Sequence, residues 1–324
     1  MSWEEAPSSY NPHMLTKLPW SRLNACRQRS QSGQENPMNS ALKIKSGAWQ
    51  CEVAPALGGC LAGLWFDGKP VLRSPGAQAL TSARQSGCYV LVPFSNRLSQ
   101  AVLQWQGTSH PLVKNNGTEA HAIHGIGWQR SWAVLDQDES SVLMSHEHRR
   151  EPGWPFAYDA SQTIQLRPEG LSMTLSITNQ DDKAAPVGLG WHPFFVKQPG
   201  MQLRFSARHR WEMGEDKLPT RALPHAGLHA PVDTLDMDHC FDGWSGEAEL
   251  SWPAGQWSIS SSLRHLVVFT RPDRDDVAVE PVSHVNNALN LLAQHKGLEP
   301  EDLGVRVLAP GESMSAHWSL QRRV

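Results

Sequence analysis

Apolar and polar residues alternate along much of this chain with a period of two. The clearest case is Leu171-Ser-Met-Thr-Leu-Ser-Ile-Thr178, where every second side chain is apolar. A strand with one buried face and one wet face reads this way. It is predicted to pair with 157–166 across the turn Arg167-Pro-Glu-Gly170. Shorter apolar runs predict strands at 47–54 and 60–66, the second turning at Asp67-Gly68 into Val71-Leu72. Further strands are expected at 87–92, 102–105, 132–135, 141–146, 187–192, 201–205, 248–252, 257–261, 266–270, 277–280, 305–308 and 314–320. Helical periodicity is rare, and 287–295, stopped by Lys296-Gly297, is the best short helix. Gly and Pro fall mostly between the expected strands, as turns require. The pattern predicts an all-β fold, a large antiparallel β-sandwich with few short helices, without βαβ rhythm or internal repeat.

The first forty residues break the pattern. Arg27-Gln-Arg-Ser-Gln-Ser-Gly-Gln-Glu-Asn-Pro37 is polar and short of apolar anchors, so 1–40 is expected to be an arm, loosely packed or disordered, ahead of one β domain at 41–324. At 324 residues the chain is long enough for a large core in one domain. The net charge of −3 and the absence of a Lys/Arg run exclude the basic field of a nonspecific nucleic-acid binder. Fourteen Trp against three Tyr suit a ligand with apolar faces and hydroxyl edges, although most of the Trp residues are expected to fill the core. The five Cys are widely spaced with no C-x-x-C, which argues against a disulfide framework or a zinc site. No signal-peptide core, membrane-length apolar run or Gly-rich phosphate loop occurs. The expectation is a cytoplasmic protein, a monomer or weak homodimer, without nucleotide cofactor, metal, nucleic acid or membrane.

Four segments concentrate unusual residues. Val92-Pro-Phe-Ser-Asn-Arg-Leu98 puts the amide of Asn96 beside the guanidinium of Arg97, a pair able to hold several hydroxyls, or simply a turn Asn and a surface Arg. His121-Ala-Ile-His-Gly-Ile-Gly-Trp128 places His124 in a tight loop; two His three apart without a nearby carboxylate are a weak metal signal. In Val187-Gly-Leu-Gly-Trp-His-Pro-Phe-Phe195, alternation sends Val187, Leu189 and Trp191 inward. Gly188, Gly190 and His192 then share the other face, with room for a ligand over the glycines and the ladder ending at Pro193. In Asp276-Val-Ala-Val-Glu-Pro-Val282, Val277 and Val279 face inward and Glu280 lies on the opposite face at the strand end. Taken alone, His192 reads equally well as a satisfied core histidine and Glu280 as a solvated edge carboxylate.

Together these segments resemble the aldose 1-epimerase (galactose mutarotase) family, in the right order and over roughly 41–320. The matching motifs are Asn96-Arg97, His124-Gly125, His192-Pro-Phe-Phe195, Asp238-His-Cys-Phe241 and Glu280-Pro281. The resemblance implies a galactose mutarotase-like sandwich that interconverts the α and β anomers of a free aldohexose such as glucose or galactose without a cofactor. It implies His192 as general acid toward the ring oxygen and Glu280 as general base toward the anomeric hydroxyl. Asn96, Arg97, His124 and Asp238 are implied to orient the sugar. Val196 and Val282-Ser-His-Val-Asn-Asn287 depart from the family pattern, and Asp236 and Asp242 lie close to Asp238. The competing readings are a glycoside hydrolase on a related sandwich, with Asp238 and Glu280 as its carboxyl pair, and a non-catalytic sugar-binding protein. A phosphosugar epimerase would add a cationic cluster that Arg97 alone does not make.

Overall fold

The computed structural model describes residues 41–294 and 299–323. The expected arm at 1–40, and His295 at the end of the expected helix, lie outside the described residues. Two antiparallel sheets dominate. The first, of eleven strands, runs in the order Leu42–Ser46, Trp49–Ala54, Cys60–Phe66, Cys88–Leu91, Gly190–Val196, Asp276–Val282, His265–Thr270, Met237–Asp242, His209–Met213 and Pro219–Pro224, with Lys69–Pro70 on the flank of Cys60–Phe66. The second, of nine strands, runs Ala133–Gln137, Ser141–His148, Tyr158–Arg167, Gly170–Asn179, Ser313–Arg323, Gly255–Ser261, Glu247–Trp252, Gln202–Ser206 and Gly227–Pro231. Three two-stranded ribbons, Ala185–Val187 with Arg306–Leu308, Arg97–Leu98 with Ala122–Ile123 and Val102–Trp105 with Thr108–Pro111, one α-helix, Ala288–Gln294, and several 3₁₀ turns complete the secondary structure of the described residues.

Local chemistry explains the turns. Asp67 and Gly68 both take positive φ, 51° and 71°, between the paired residues Phe66 and Lys69. That is the two-residue hairpin turn whose twist matches its strands. The alternating strand Gly170–Asn179 pairs with Tyr158–Arg167 along its whole length. Its apolar residues Leu171, Met173, Leu175 and Ile177 are all buried while the intervening side chains are half-exposed.

The main core lies between the sheets. From the first sheet come Trp49, Val90, Trp191, Phe195, Phe241, Val277 and Val279; from the second, Ile164, Met173, Leu175, Phe205, Trp318 and Leu320. Aromatic pairs bridge the sheets: Trp191 with Trp318 at 6.4 Å, Trp49 with Trp257 at 5.6 Å, and Phe205 edge-on to Phe241 at 4.9 Å between ring centroids. Each buried ring removes a large apolar area from water and fixes the sheet spacing. A second, smaller cluster covers the outer face of the first sheet: Cys60, Ala62, Tyr89, Leu91, Phe194, Cys240, Val267, Ala278 and Val282 with Trp128. The first sheet is therefore buried on both faces near its centre.

Two expectations need correction. The strand bearing His192 does not end at Pro193. It continues to Val196, pairing with Asp276–Val282 on one side and Cys88–Leu91 on the other. Nor do Gly188 and Gly190 leave room for a ligand. A Cβ on Gly188 would lie 2.1 Å from the His284 ring, and one on Gly190 2.8 Å from the Pro281 carbonyl oxygen. These glycines make space for the segment that follows Glu280.

Candidate active site

The register of the central strands builds the site. Gly190 pairs with Val282 and Phe194 with Ala278, so the same register sets His192 opposite Glu280. No bridge forms between those two pairs, where Pro193 and Pro281 each remove an N–H donor. His192 also pairs with Tyr89, Glu280 with Val267, and Val267 with Cys240. Side chains of directly paired residues share a face. Tyr89, His192, Glu280, Val267 and Cys240 thus form one row across the outer face. The neighbouring row holds Phe194, Ala278, Phe269 and Asp238. Alternation inward and outward separates His192 and Glu280 from Trp191, Val277 and Val279 in the core.

These rows floor a cavity of about 220 Å³. Its lining brings together all six residues singled out in the sequence: Asn96, Arg97, His124, His192, Asp238 and Glu280. It adds Arg73, Arg84, Tyr89, Asn116, Ile123, Phe194, Phe269 and Arg274. Among the described residues no Trp lines it, and the aromatic walls are Tyr89, Phe194 and Phe269.

His192 and Glu280 form a buried acid–base pair. His192 Nε2 lies 3.2 Å from Glu280 Oε1, and the two residues are 7% and 2% exposed. His192 Nδ1 and Glu280 Oε2 are buried without a hydrogen-bond partner. Buried polar atoms are nearly always paired, and these two belong to residues that line the cavity. Burial pushes the His192 imidazole well below its ordinary pKa, and the nearby Arg73 and Arg84 add to this. Burial likewise pushes the Glu280 carboxyl well above the usual carboxylate range; Asp238 reinforces the shift and Arg97 opposes it. Both directions disfavour charge, so the pair holds a single proton over a wide pH range. Tyr89 and Phe194 clamp the imidazole with nearly parallel rings, at 4.8 Å and 4.3 Å.

The remaining residues come from loops. Asn96 adopts φ 54°, a left-handed conformation that Asn tolerates, and its Oδ1 accepts from the Arg97 backbone N–H at 2.9 Å. The Asn96 N–H donates to His124 Nδ1 at 3.0 Å. The neutral His124 ring therefore carries its proton on Nε2. It stays neutral because burial, then His192 and Arg97, hold its pKa well below the ordinary value. Gly125 follows at φ 66°, where a Cβ would sit 2.2 Å from the Val92 carbonyl oxygen, so only glycine closes this loop. His121, three residues earlier, is engaged by backbone at both ring nitrogens, Gln100 N–H and Asp216 O, and stays out of the cavity lining. Arg97 Nε donates to Glu119 at 2.7 Å, and its Nη1 lies 3.6 Å from Asp238. Asp242, a neighbour in sequence, is held instead by His209 Nδ1 and Trp211 Nε1. That leaves Asp238 as the carboxylate of its segment in the cavity.

Sequence reasoning missed Glu119, Tyr89, Arg73, Arg84 and Arg274. Phe194 lay inside the His192 motif and carried a usable signal; the three cavity arginines Arg73, Arg84 and Arg274 sit in unremarkable loops and carried none. Among the described residues no group of three or more His, Cys, Asp or Glu side chains converges on a possible metal position. No helix among them is long and apolar enough to cross a membrane.

Comparison with known proteins identifies the family and the fold. Residues 41–321 match the aldose 1-epimerase family. The uncharacterized protein YphB of Escherichia coli K12 is 31% identical over 283 residues, 82% of this chain and 92% of that protein. A solved structure of a provisionally assigned aldose 1-epimerase from Escherichia coli K12 superposes with a TM-score of 0.78 at 28% identity, covering 88% of this chain and 99% of that one. A galactose mutarotase-like protein from Clostridium acetobutylicum shares the fold, with a TM-score of 0.76 at 19% identity over 87% and 95% of the two chains. With residues 41–321 matched by the family model and the fold shared with these structures, the chain belongs to the aldose 1-epimerase family.

Proposed function

We propose that this protein catalyses mutarotation, interconverting the α and β anomers of a free aldose through the open-chain aldehyde. The observation that carries the reading is the buried His192–Glu280 contact, a pair with one proton and two unpartnered atoms at the floor of a sugar-sized cavity. Ring opening needs one group to take the O1 proton and another to protonate O5. A pair with one proton supplies one base and one acid.

Burial favours the neutral pair, and in the reactive form the proton of the Glu280 carboxyl has moved onto His192, leaving a carboxylate beside an imidazolium. Glu280 takes the proton from O1, the C1–O1 bond gains double-bond character, the C1–O5 bond breaks, and His192 delivers its proton to O5. Rotation about C1–C2 presents the other carbonyl face. Closure reverses both transfers, and the pair ends with the single proton it began with. Each positioned acid or base contributes about 10²–10⁴-fold. Arg97, fixed by Glu119 and Asn96, with Asp238 and the Nε2–H of His124, orients the hydroxyls. Arg97 also favours the ionised form of Glu280.

The test is anomer exchange of fresh α-D-glucose and α-D-galactose followed by polarimetry, beside hydrolysis of an aryl glycoside. Accelerated exchange without cleavage supports the reading. Glycoside cleavage would favour the hydrolase reading, and sugar binding without exchange the non-catalytic one.

A further inference from the structure

The two ends of the cavity differ in charge. At one end Arg97 meets Glu119 at 2.7 Å and Asp238 at 3.6 Å, with Lys217 3.8 Å from Glu119. Cations and carboxylates balance there. At the other end Arg73, Arg84 and Arg274 all line the cavity. A single carboxylate, Asp276, serves two of them, at 2.8 Å from Arg274 Nε and 3.4 Å from Arg73 Nη1. Arg84, whose backbone carbonyl accepts from Arg73, sends its guanidinium to the neutral amide oxygen of Asn116, which in turn donates to Glu119, so Arg84 spans the two ends. Asp273 and Asp275, in the same loop as Arg274, do not line the cavity.

This cationic end is built rather than incidental. Arg73 lies over the Phe194 ring with its guanidinium carbon 3.8 Å from the centroid, and donates to the Ser86 carbonyl from Nε and Nη2 at 3.0 and 2.8 Å. Arg274 lies 5.0 Å from the Phe269 ring and 5.9 Å from the Phe194 ring. Phe194 in turn stacks on His192 at 4.3 Å. Arg73 and Arg274 therefore stand one aromatic ring beyond the acid of the reacting pair.

Resting on the mutarotase reading, we propose that the substrate is an aldose carrying an anionic group on carbon 6. In a pyranose the ring oxygen joins C1 to C5, and C6 is attached to C5. With O1 at Glu280 and O5 at His192, C6 lies on the His192 side of the sugar ring, where Tyr89 flanks His192 in its own row and Phe194, carrying Arg73, stacks on it from the next. A neutral hydroxymethyl group there leaves the surplus charge unanswered. A phosphate or carboxylate at C6 forms charge-assisted hydrogen bonds with Arg84 and Arg274 beside the fixed charge of Arg73.

The experiment measures anomer exchange at equilibrium by NMR magnetisation transfer for glucose 6-phosphate, glucuronate, glucose and galactose. It uses wild type and the rim variants Arg84→Gln and Arg274→Gln. At least one anionic sugar should exceed both neutral sugars about tenfold or more in kcat/KM, and that ratio should fall about tenfold in the variants. Its KM should also rise with salt more than that of glucose. Preference for the phosphate or for the carboxylate identifies the anion. Neutral sugars exchanged as well as both anionic ones, or a ratio unchanged in both variants, would overturn the anion assignment while leaving mutarotation standing. Exchange of no sugar would overturn the mutarotase reading and this inference with it.

Discussion

The two faces of the central strands are both buried, yet they do opposite work. Trp191, Phe195, Val277 and Val279 turn inward into a core where each side chain is met by another. His192, Phe194, Ala278 and Glu280, on the same two strands, turn outward under the cavity. The inward face satisfies every group through apolar contact, apart from indole N–H groups such as that of Trp191. The outward face holds an acid and a base with atoms left unpartnered. Burial on the first face is stability; on the second it shifts proton affinities toward the neutral forms, which in the proposed function prepares a reaction. A period of two is enough to separate the two tasks along a single strand.

Four substitutions and a change of pH break or sharpen this contrast. The largest effect on activity is expected from Glu280→Gln, which removes the base while keeping its shape. Anomer exchange should fall by about 10³-fold or more, with thermal stability unchanged or raised because a strained buried carboxyl is gone. His192→Asn should cost about 10²–10⁴-fold in the same assay. Trp191→Ala, one residue away but on the inward face, should do the reverse. A denaturant titration should show about 3–5 kcal/mol of lost stability, while kcat per folded molecule changes little.

Next comes pH. Burial holds His146, His265 and His284 at about 4 against an ordinary 6.5. In that interval the unfolded chain binds protons that the folded one refuses, so stability rises with pH. Stability should be full above about pH 6.5 and fall steadily toward pH 4, which melting curves across this range will show. The exchange rate should follow a bell. On the acid side His192 takes a second proton below the ordinary imidazole pKa; on the alkaline side the pair loses its one proton above the ordinary carboxylate range. The smallest effect is expected from Glu119→Gln, which loosens Arg97 without touching the reacting pair. KM should rise about tenfold with little change in kcat.

Much of the fold was legible because alternation is strong where one face is dry. The strands around 60–66, 102–105 and 171–178 are found within a residue or so of their expected bounds. The region 209–231 was not legible. His209–Met213, Pro219–Pro224 and Gly227–Pro231 are short, polar or Pro-flanked strands at or beside sheet edges, where burial imposes no alternation. Leu42–Ser46, with Lys at alternate positions, is an edge strand for the same reason. In the site, His192 and Glu280 were legible as the outward members of strands whose other residues pack the core. Their mutual register was not, because strand order is a long-range property. Asp238 was singled out only by its place in a family motif. Arg84, Arg274 and Glu119 sit in loops whose direction is set by partners far away in sequence.

The most direct test of the account is the rate of α-to-β exchange of a free aldose by wild type and by Glu280→Gln, the melting temperature of both being recorded. The account predicts exchange well above the spontaneous rate for wild type, exchange near the spontaneous rate for the variant, and no loss of stability. A variant that retains wild-type turnover, or a wild type that accelerates exchange of no aldose, contradicts it.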